Sequence, residues 1–512
     1  MSQIRVLLTF IVIIIADTTI LAQELNSLYP CGTIMGRSAW LKKFQTDPTA
    51  FAQRGNEILY VPLTVHIVGA DNGSNYYREQ NLVLALCTLN KDFEEAGIQF
   101  YMAGPVRYIN NTGYANHNSI LKGAEMMFAN NVPNTMNTYI VGNAGGFCGY
   151  NLPYAGIVIS QNCARPNDHT WAHEAGHHFG IPHPFLGWEG GVSWDNSVTH
   201  NYANPAPDFI LYDYTLFKDD FFTDTLIIDT AYVERMDGTN CHFAADGFCD
   251  TAPDYLYIRW QCSADRRSLI TQTDPDGVTF TSDASLIMSY AFDNCSAYFT
   301  EQQMSAMRAY LIDRRSNYLQ SYAVPDVPSH DAVIYNKPQA GESVFFRNVV
   351  LEWDPVANAE AYLIQIATSP NFGIILEDTI VYQNSAIFAS LRNNSTLYWR
   401  VKALNSLYYC NGFSGSSSFI TNGISAISDK SSHPQLTLYP NPVSRNQSLY
   451  IHHLFHESAI VTIKDLWGRE VQRLNITTSN QMIPMNFAER GVYILETEQN
   501  GRRSVFKIVV TD

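Results

Sequence analysis

The chain has 512 residues, 46% hydrophobic and 16% charged, which makes it too long for one compact core and too apolar for a disordered or collagen-like polymer. Typical domain sizes give about three folded units. Its 48 acidic residues outnumber 32 basic ones, and the net charge of −16 repels phosphate backbones and anionic lipid, which excludes a nucleic-acid partner.

Arg5, the apolar run from Val6 to Ala16 and the small and polar residues up to Ala22 have the order of a secretory signal peptide, expected over 1–22. Asp17 and the Thr18-Thr19 pair break that run too early for a membrane anchor, and no later stretch is apolar enough to span a membrane. Export permits disulfides, and nine cysteines leave at least one thiol unpaired. Residues 23–54 show no clear period and contain Cys31, with Lys42, Lys43 and Arg54 as processing points; they are expected to form a short propeptide.

From residue 55 the pattern becomes mixed α and β. The run "ILYVPLTVHIV" predicts a strand, and Leu82, Leu86, Leu89 and Phe93 recur as one face of a helix. The most informative segment is "WAHEAGHHFGIPHPF" from Trp171 to Phe185. His173 and His177, four apart, project from one face of a helix; Gly180 ends that helix with a left-handed turn and lets His183 supply a third nitrogen. Three neutral nitrogens with a fourth position for water describe a catalytic rather than a structural zinc site. Glu174, beside a ligand rather than aimed at the metal, is placed to deprotonate the zinc-bound water, so the expected reaction is amide hydrolysis. His178 falls off the ligand face and reads as a packing residue.

"HEAGHHFGIPH" resembles the extended zinc signature of the metzincin metallopeptidases, and "SLIMSY" resembles their Met-turn, with Met288 under the metal and Tyr290 two residues on. The resemblance implies that the Tyr290 phenol stabilises the oxyanion of the tetrahedral intermediate. Within the clan the match is to pappalysins over about 260 residues, through the opening from Val61 to Phe93, Pro184-Phe185, "DGFCDTAPD" at Asp246 to Asp254 and "MSYAFDNCSAYFTEQQMSAMR" at Met288 to Arg308. A long segment rich in Asp and Tyr between Phe185 and Cys241 departs from that pattern. The resemblance also implies a calcium site at Asp246, Asp250 and Thr251. Extended substrate is expected to add as an antiparallel strand on the sheet edge.

Cys241, Cys249, Cys262 and Cys295 are expected to form two disulfides in one of three pairings, with a further bridge between Cys148 and Cys163. Cys87, in an apolar helical face, reads as a buried free thiol, and Cys410 has no evident partner. Cys31 is a candidate latency switch whose thiolate takes the water position on zinc, as in pappalysin-like precursors; the alternative is an ordinary disulfide to Cys87 or another cysteine.

After residue 322 short β-rich runs separated by Pro and Gly predict a sandwich over 323–424 with Trp353, Tyr362 and Trp399 in its core. It resembles a fibronectin type III domain. A polar linker at 425–434 leads to a β-module at 435–512, where "YPNP", "DLWGRE" and "GVYIL" resemble the C-terminal sorting domain of type IX secretion substrates. That resemblance implies a Bacteroidetes-like source, passage through the periplasm, the type IX machinery as partner, and release or anchoring at the cell surface.

The expected fold class is multidomain: an α+β metzincin-like catalytic domain at 55–322, with a zinc-binding active-site helix and a Met-turn, followed by two all-β sandwich modules. The expected function is secreted zinc-dependent endopeptidase acting on polypeptides, with one Zn²⁺ and a candidate Ca²⁺. The alternatives are a surface adhesin with an accessory or inactive metal domain and a metzincin of another branch.

Overall fold

The computed structural model describes residues 29–511 except 34, 53–54, 56, 154, 189–200, 214–227, 330–332, 424–435, 446, 454–458, 466–467, 477–479 and 500–501. The expected signal peptide and linker lie outside the described residues. The chain divides into two units, 1–423 and 424–512.

The first unit is built on one sheet. Strands β1 (Tyr29–Cys31), β2 (Leu59–Gly69), β3 (Ile98–Met102), β4 (Arg107–Asn110), β5 (Asn116–His117), β6 (Met136–Val141), β7 (Asn143–Ala144), β8 (Phe147–Leu152) and β9 (Gly156–Ser160) take the order β3-β2-β6-β9-β8-β7-β5, with β4 beside β2 and β1 beside β8. β2, β6 and β9 run parallel, and β2 and β6 are buried almost throughout, which explains their continuous apolar runs. β8 returns antiparallel to β9.

Helices α1 (Ala39–Thr46), α2 (Glu79–Asp92), α4 (Thr170–His178) and α5 (Glu301–Arg314) contribute to one core, while α3 (Ile120–Asn130) packs Met126 and Met127 into a second with Tyr139, Tyr150 and Val158. The expected stripe on α2 is buried at Leu82, Leu86 and Leu89, and Phe93 beyond it meets the rings of Phe100, Phe179 and Phe299. Thr300 and Gln303 form a capping box that starts α5.

Between α4 and α5 the described chain is largely irregular, apart from a hairpin of Phe209–Asp213 with Ile228–Tyr232 and a two-residue ladder. Disulfides Cys241–Cys249 and Cys262–Cys295 replace secondary structure there, and Cys148–Cys163 ties β8 to the segment after β9. Cys87 and Cys410 overturn the expectation of a free thiol and a partnerless cysteine: they are bonded to each other across 323 residues. Neither spacing nor apolar context signals a partner that only folding brings close.

Two facing sheets follow. One contains Tyr335–Lys337, Arg347–Trp353 and Ser385–Ser390; the other contains Glu342–Phe345, Ser416–Asn422, Ser395–Leu404, Ala361–Ala367 and Ile375–Val381. Trp353 and Trp399 are fully buried between them, with Tyr362 against Trp353. The second unit is a smaller β-module with a three-stranded and a five-stranded sheet, closed over Ile451, Val461, Ile463, Leu495 and Ile508. No helix among the described residues is long and apolar enough to cross a membrane.

Candidate metal centre

β9 leads into α4, before which Asp168 Oδ1 accepts from Thr170 N at 2.9 Å. His173, Glu174 and His177 are buried on this helix. At its end Gly180 has φ +89°, and Ile181 N bonds back to Gly176 O at 3.0 Å, reversing the chain so that His183 returns to the helix. Gly176 is a glycine for space: a Cβ there would lie 2.5 Å from Met288 Sδ, which packs beneath the helix.

The three ε-nitrogens converge. His173 Nε2 is 3.1 Å from His177 Nε2 and 3.2 Å from His183 Nε2, and the latter two are 3.0 Å apart. His173 Nδ1 donates to Ile287 O at 2.8 Å and His177 Nδ1 to Ile181 O at 2.7 Å, which leaves their ε-nitrogens as lone-pair acceptors aimed at one point. Burial favours the neutral rings, pushing His173 down to about 3 and His177 well below its ordinary value. Unprotonated nitrogens facing one another at this range repel unless a cation lies among them, so the donor set fits a zinc ion.

A fourth donor completes the group. Cys31 Sγ lies within 4.8 Å of the three nitrogens and is the free cysteine among the described residues. It arrives on β1, which pairs parallel to β8 with Cys31 opposite Gly149; Gly32 N donates to Gly149 O at 2.8 Å and Tyr29 N to Gly146 O at 3.0 Å. Burial and the neighbouring Glu174 raise the thiol well above its ordinary range, and a cation at the site would reverse that.

Glu174 is fully buried. Thr33 Oγ1 donates to its Oε2 at 2.7 Å and accepts from Asn151 N at 2.7 Å, while Oε1 has no hydrogen-bond partner. Burial raises the carboxyl to about 7, against the hydrogen bond from Thr33. Gly149 makes the room, since a Cβ there would lie 2.9 Å from Glu174 Cγ.

Tyr290 is buried with its ring 5.0 Å from that of His183 and 5.8 Å from that of His173. Ser289, beside Met288, donates to Asp254 Oδ2 at 2.6 Å, which ties the "DGFCDTAPD" segment to the turn that carries Met288. His178, off the ligand face, bonds Asn151 Oδ1 at 2.9 Å and Tyr318 OH at 3.1 Å.

Of the three calcium candidates, Thr251 Oγ1 donates to Asp246 Oδ1 at 3.0 Å, Asp250 lies close enough for its charge to act on Asp246, and Asp250 Oδ2 accepts from Gln302 N at 2.8 Å. A further acid near Asp246 is Glu234, which sequence reasoning missed because nothing in its surroundings marks it. Burial first, then Asp246, pushes Glu234 up to about 10; burial pushes Asp246 to about 7. Glu234 Oε2 and Asp246 Oδ2 are both buried without a hydrogen-bond partner. Thr33 was also missed, although it stands two residues from Cys31, the spacing at which a strand shows one face.

A family model, the secretion system C-terminal sorting domain, matches residues 437–511. Comparison with curated proteins gives no match. Among solved structures, a promirolysin mutant from Tannerella forsythia is 16% identical, covering 57% of this chain and 97% of its own, at a TM-score of 0.34. The fn3 domain of human contactin 1 is 17% identical, covering 22% of this chain and 93% of its own, at a TM-score of 0.17. The C-terminal module is thus an address for type IX secretion, and the protein is one that a Bacteroidetes bacterium exports to its surface or its surroundings.

Proposed function

We propose that this chain is the precursor of a secreted zinc endopeptidase of pappalysin type, held silent by Cys31. The observation that carries the reading is the convergence of three buried imidazole ε-nitrogens beside a buried carboxylate with one unpartnered oxygen. His173, His177 and His183 would hold the ion. When bound, zinc polarises a scissile carbonyl and brings the pKa of water to about 7.

Glu174 takes the proton from the attacking water and returns it to the departing amine. A carboxyl on the helix beside the imidazoles, within reach of both the water and the amine, can do both. Tyr290 stands beside His183 and His173, where its phenol can stabilise developing oxyanion charge. β8 is the strand on which a polypeptide would lie, antiparallel, once β1 is gone. β1 itself runs parallel to β8, and it offers a sulfur and the Thr33 hydroxyl at the site. We extend the reading to calcium at Glu234 and Asp246, whose unpartnered oxygens are hard ligands.

The test is incubation of processed protein with an unfolded protein substrate, with and without a chelator, beside Glu174→Ala. Fragmentation by the parent alone, with one zinc per chain, is expected. Equal fragmentation in all three samples refutes the reading.

A further inference from the structure

α2 has two buried faces with different partners. Leu82, Leu86 and Leu89 pack into the core of the main sheet. Glu79, Val83 and Cys87, spaced four apart and so stacked along the helix, meet the β-sandwich instead. Val83 is buried with Ala361, Leu363 and Leu404 of the sandwich. Cys87 is bonded to Cys410, and Glu79 accepts from Ile380 N. Arg78, at the start of the helix, pairs at 2.5 Å with Asp378, whose side chain is 2% exposed. On the adjoining β3, Met102 N donates to Ser406 O at 2.7 Å, and Tyr101 stacks on Tyr322 at 3.7 Å.

The other end of the same helix reaches the metal centre. Asp92, its last residue, is 4% exposed and accepts from His169 Nδ1 at 2.8 Å. His169 precedes the first turn of α4: its carbonyl accepts from His173 N at 2.9 Å, and its N–H donates to Asp293 Oδ1 at 3.0 Å. His169, Asp293 and Tyr290 line a small cavity beside His173. One rigid helix thus runs from the sandwich to the turn that carries the first imidazole.

We propose that the β-sandwich is an internal brace of the peptidase rather than a spacer, and that Asp92, at the end of the braced helix, is a positioning residue holding the first turn of α4 through His169. The activity arm of this proposal rests on the peptidase reading; the exchange arm does not.

The experiment is hydrogen exchange on the full chain, comparing the parent with Cys87→Ser/Cys410→Ser, Asp92→Ala and Asp92→Asn. Loss of the disulfide is expected to speed exchange at least tenfold in residues 79–92 and 168–173 while leaving β6 and β9 unchanged. Asp92→Ala is expected to speed 168–173 alone, and Asp92→Asn, which keeps an acceptor for His169, to restore it. In the processed enzyme kcat is expected to fall about tenfold in Asp92→Ala, with KM and bound zinc within twofold and recovery in Asp92→Asn. If the cysteine variant does not fold, Asp378→Asn replaces it, with acceleration of about threefold in the same peptides. Exchange at 168–173 unchanged by loss of the brace or of Asp92 overturns the proposal, as does separate melting of the sandwich in the parent. A parent that cleaves nothing refutes the peptidase reading and leaves the exchange arm to judge the brace.

Discussion

The strength with which β1 closes the site can be worked from its contacts. Two main-chain hydrogen bonds, from Tyr29 to Gly146 and from Gly32 to Gly149, contribute about 1 kcal/mol each. The Thr33 hydroxyl on the Glu174 carboxylate contributes roughly 1.5–3 kcal/mol, as a hydrogen bond to a charged group. Removal of the sulfur alone therefore leaves about 4 kcal/mol, and an open fraction on the order of 10⁻³. Removal of Thr33 as well leaves about 2 kcal/mol and a few per cent open. Unprocessed Cys31→Ala is thus expected to show about 0.1% of the matured activity, Cys31→Ala/Thr33→Val about thirtyfold more, and the parent none. The assay is cleavage of an unfolded protein by a precursor made uncleavable at Lys42, Lys43 and Arg54, with the chain length checked by mass. A double variant as silent as the parent would refute the reasoning.

Gly149→Ala places a methyl 2.9 Å from Glu174 Cγ and 3.1 Å from Oε1; kcat should fall on the order of 10²-fold, at a stability cost of about 1–3 kcal/mol measured by denaturant. Calcium should raise the melting temperature of the parent by several degrees and leave Glu234→Gln/Asp246→Asn unmoved, a difference that calorimetry reads. Burial holds Glu79 at about 7 against the 4.5 of an exposed glutamate. Since the folded value is the higher, its cost is absent below about pH 4 and grows up to about pH 7. Stability should therefore fall by about 3 kcal/mol over that window as pH rises, and Glu79→Gln should flatten this part of the profile in urea titrations; a rise with pH owing to Glu79 would contradict its burial. Chelation should abolish cleavage and lower the melting temperature, both restored by zinc.

The spacing of His173, His177, Gly180 and His183 was legible because a helix and a left-handed turn leave little freedom in where those side chains go, and the structure brings the three rings together. The buried strand β2, the stripe on α2 and the aromatic core of the sandwich were legible for the same reason: each is a local period imposed by one element. The sorting module was legible in its short strands and turn residues, and the matched family model covers it.

Contacts between distant segments were not legible. Cys87 and Cys410 lie 323 residues apart and carry no shared spacing, so only the docking of the sandwich on α2 pairs them. Glu234 finds Asp246, and Asp92 finds His169, across loops whose path no periodicity sets. The sequence alone determined which imidazoles one helix and the turn after it bring together. The tertiary structure decided what surrounds them, because burial, partner and charge depend on which remote strand or helix comes to rest against each one.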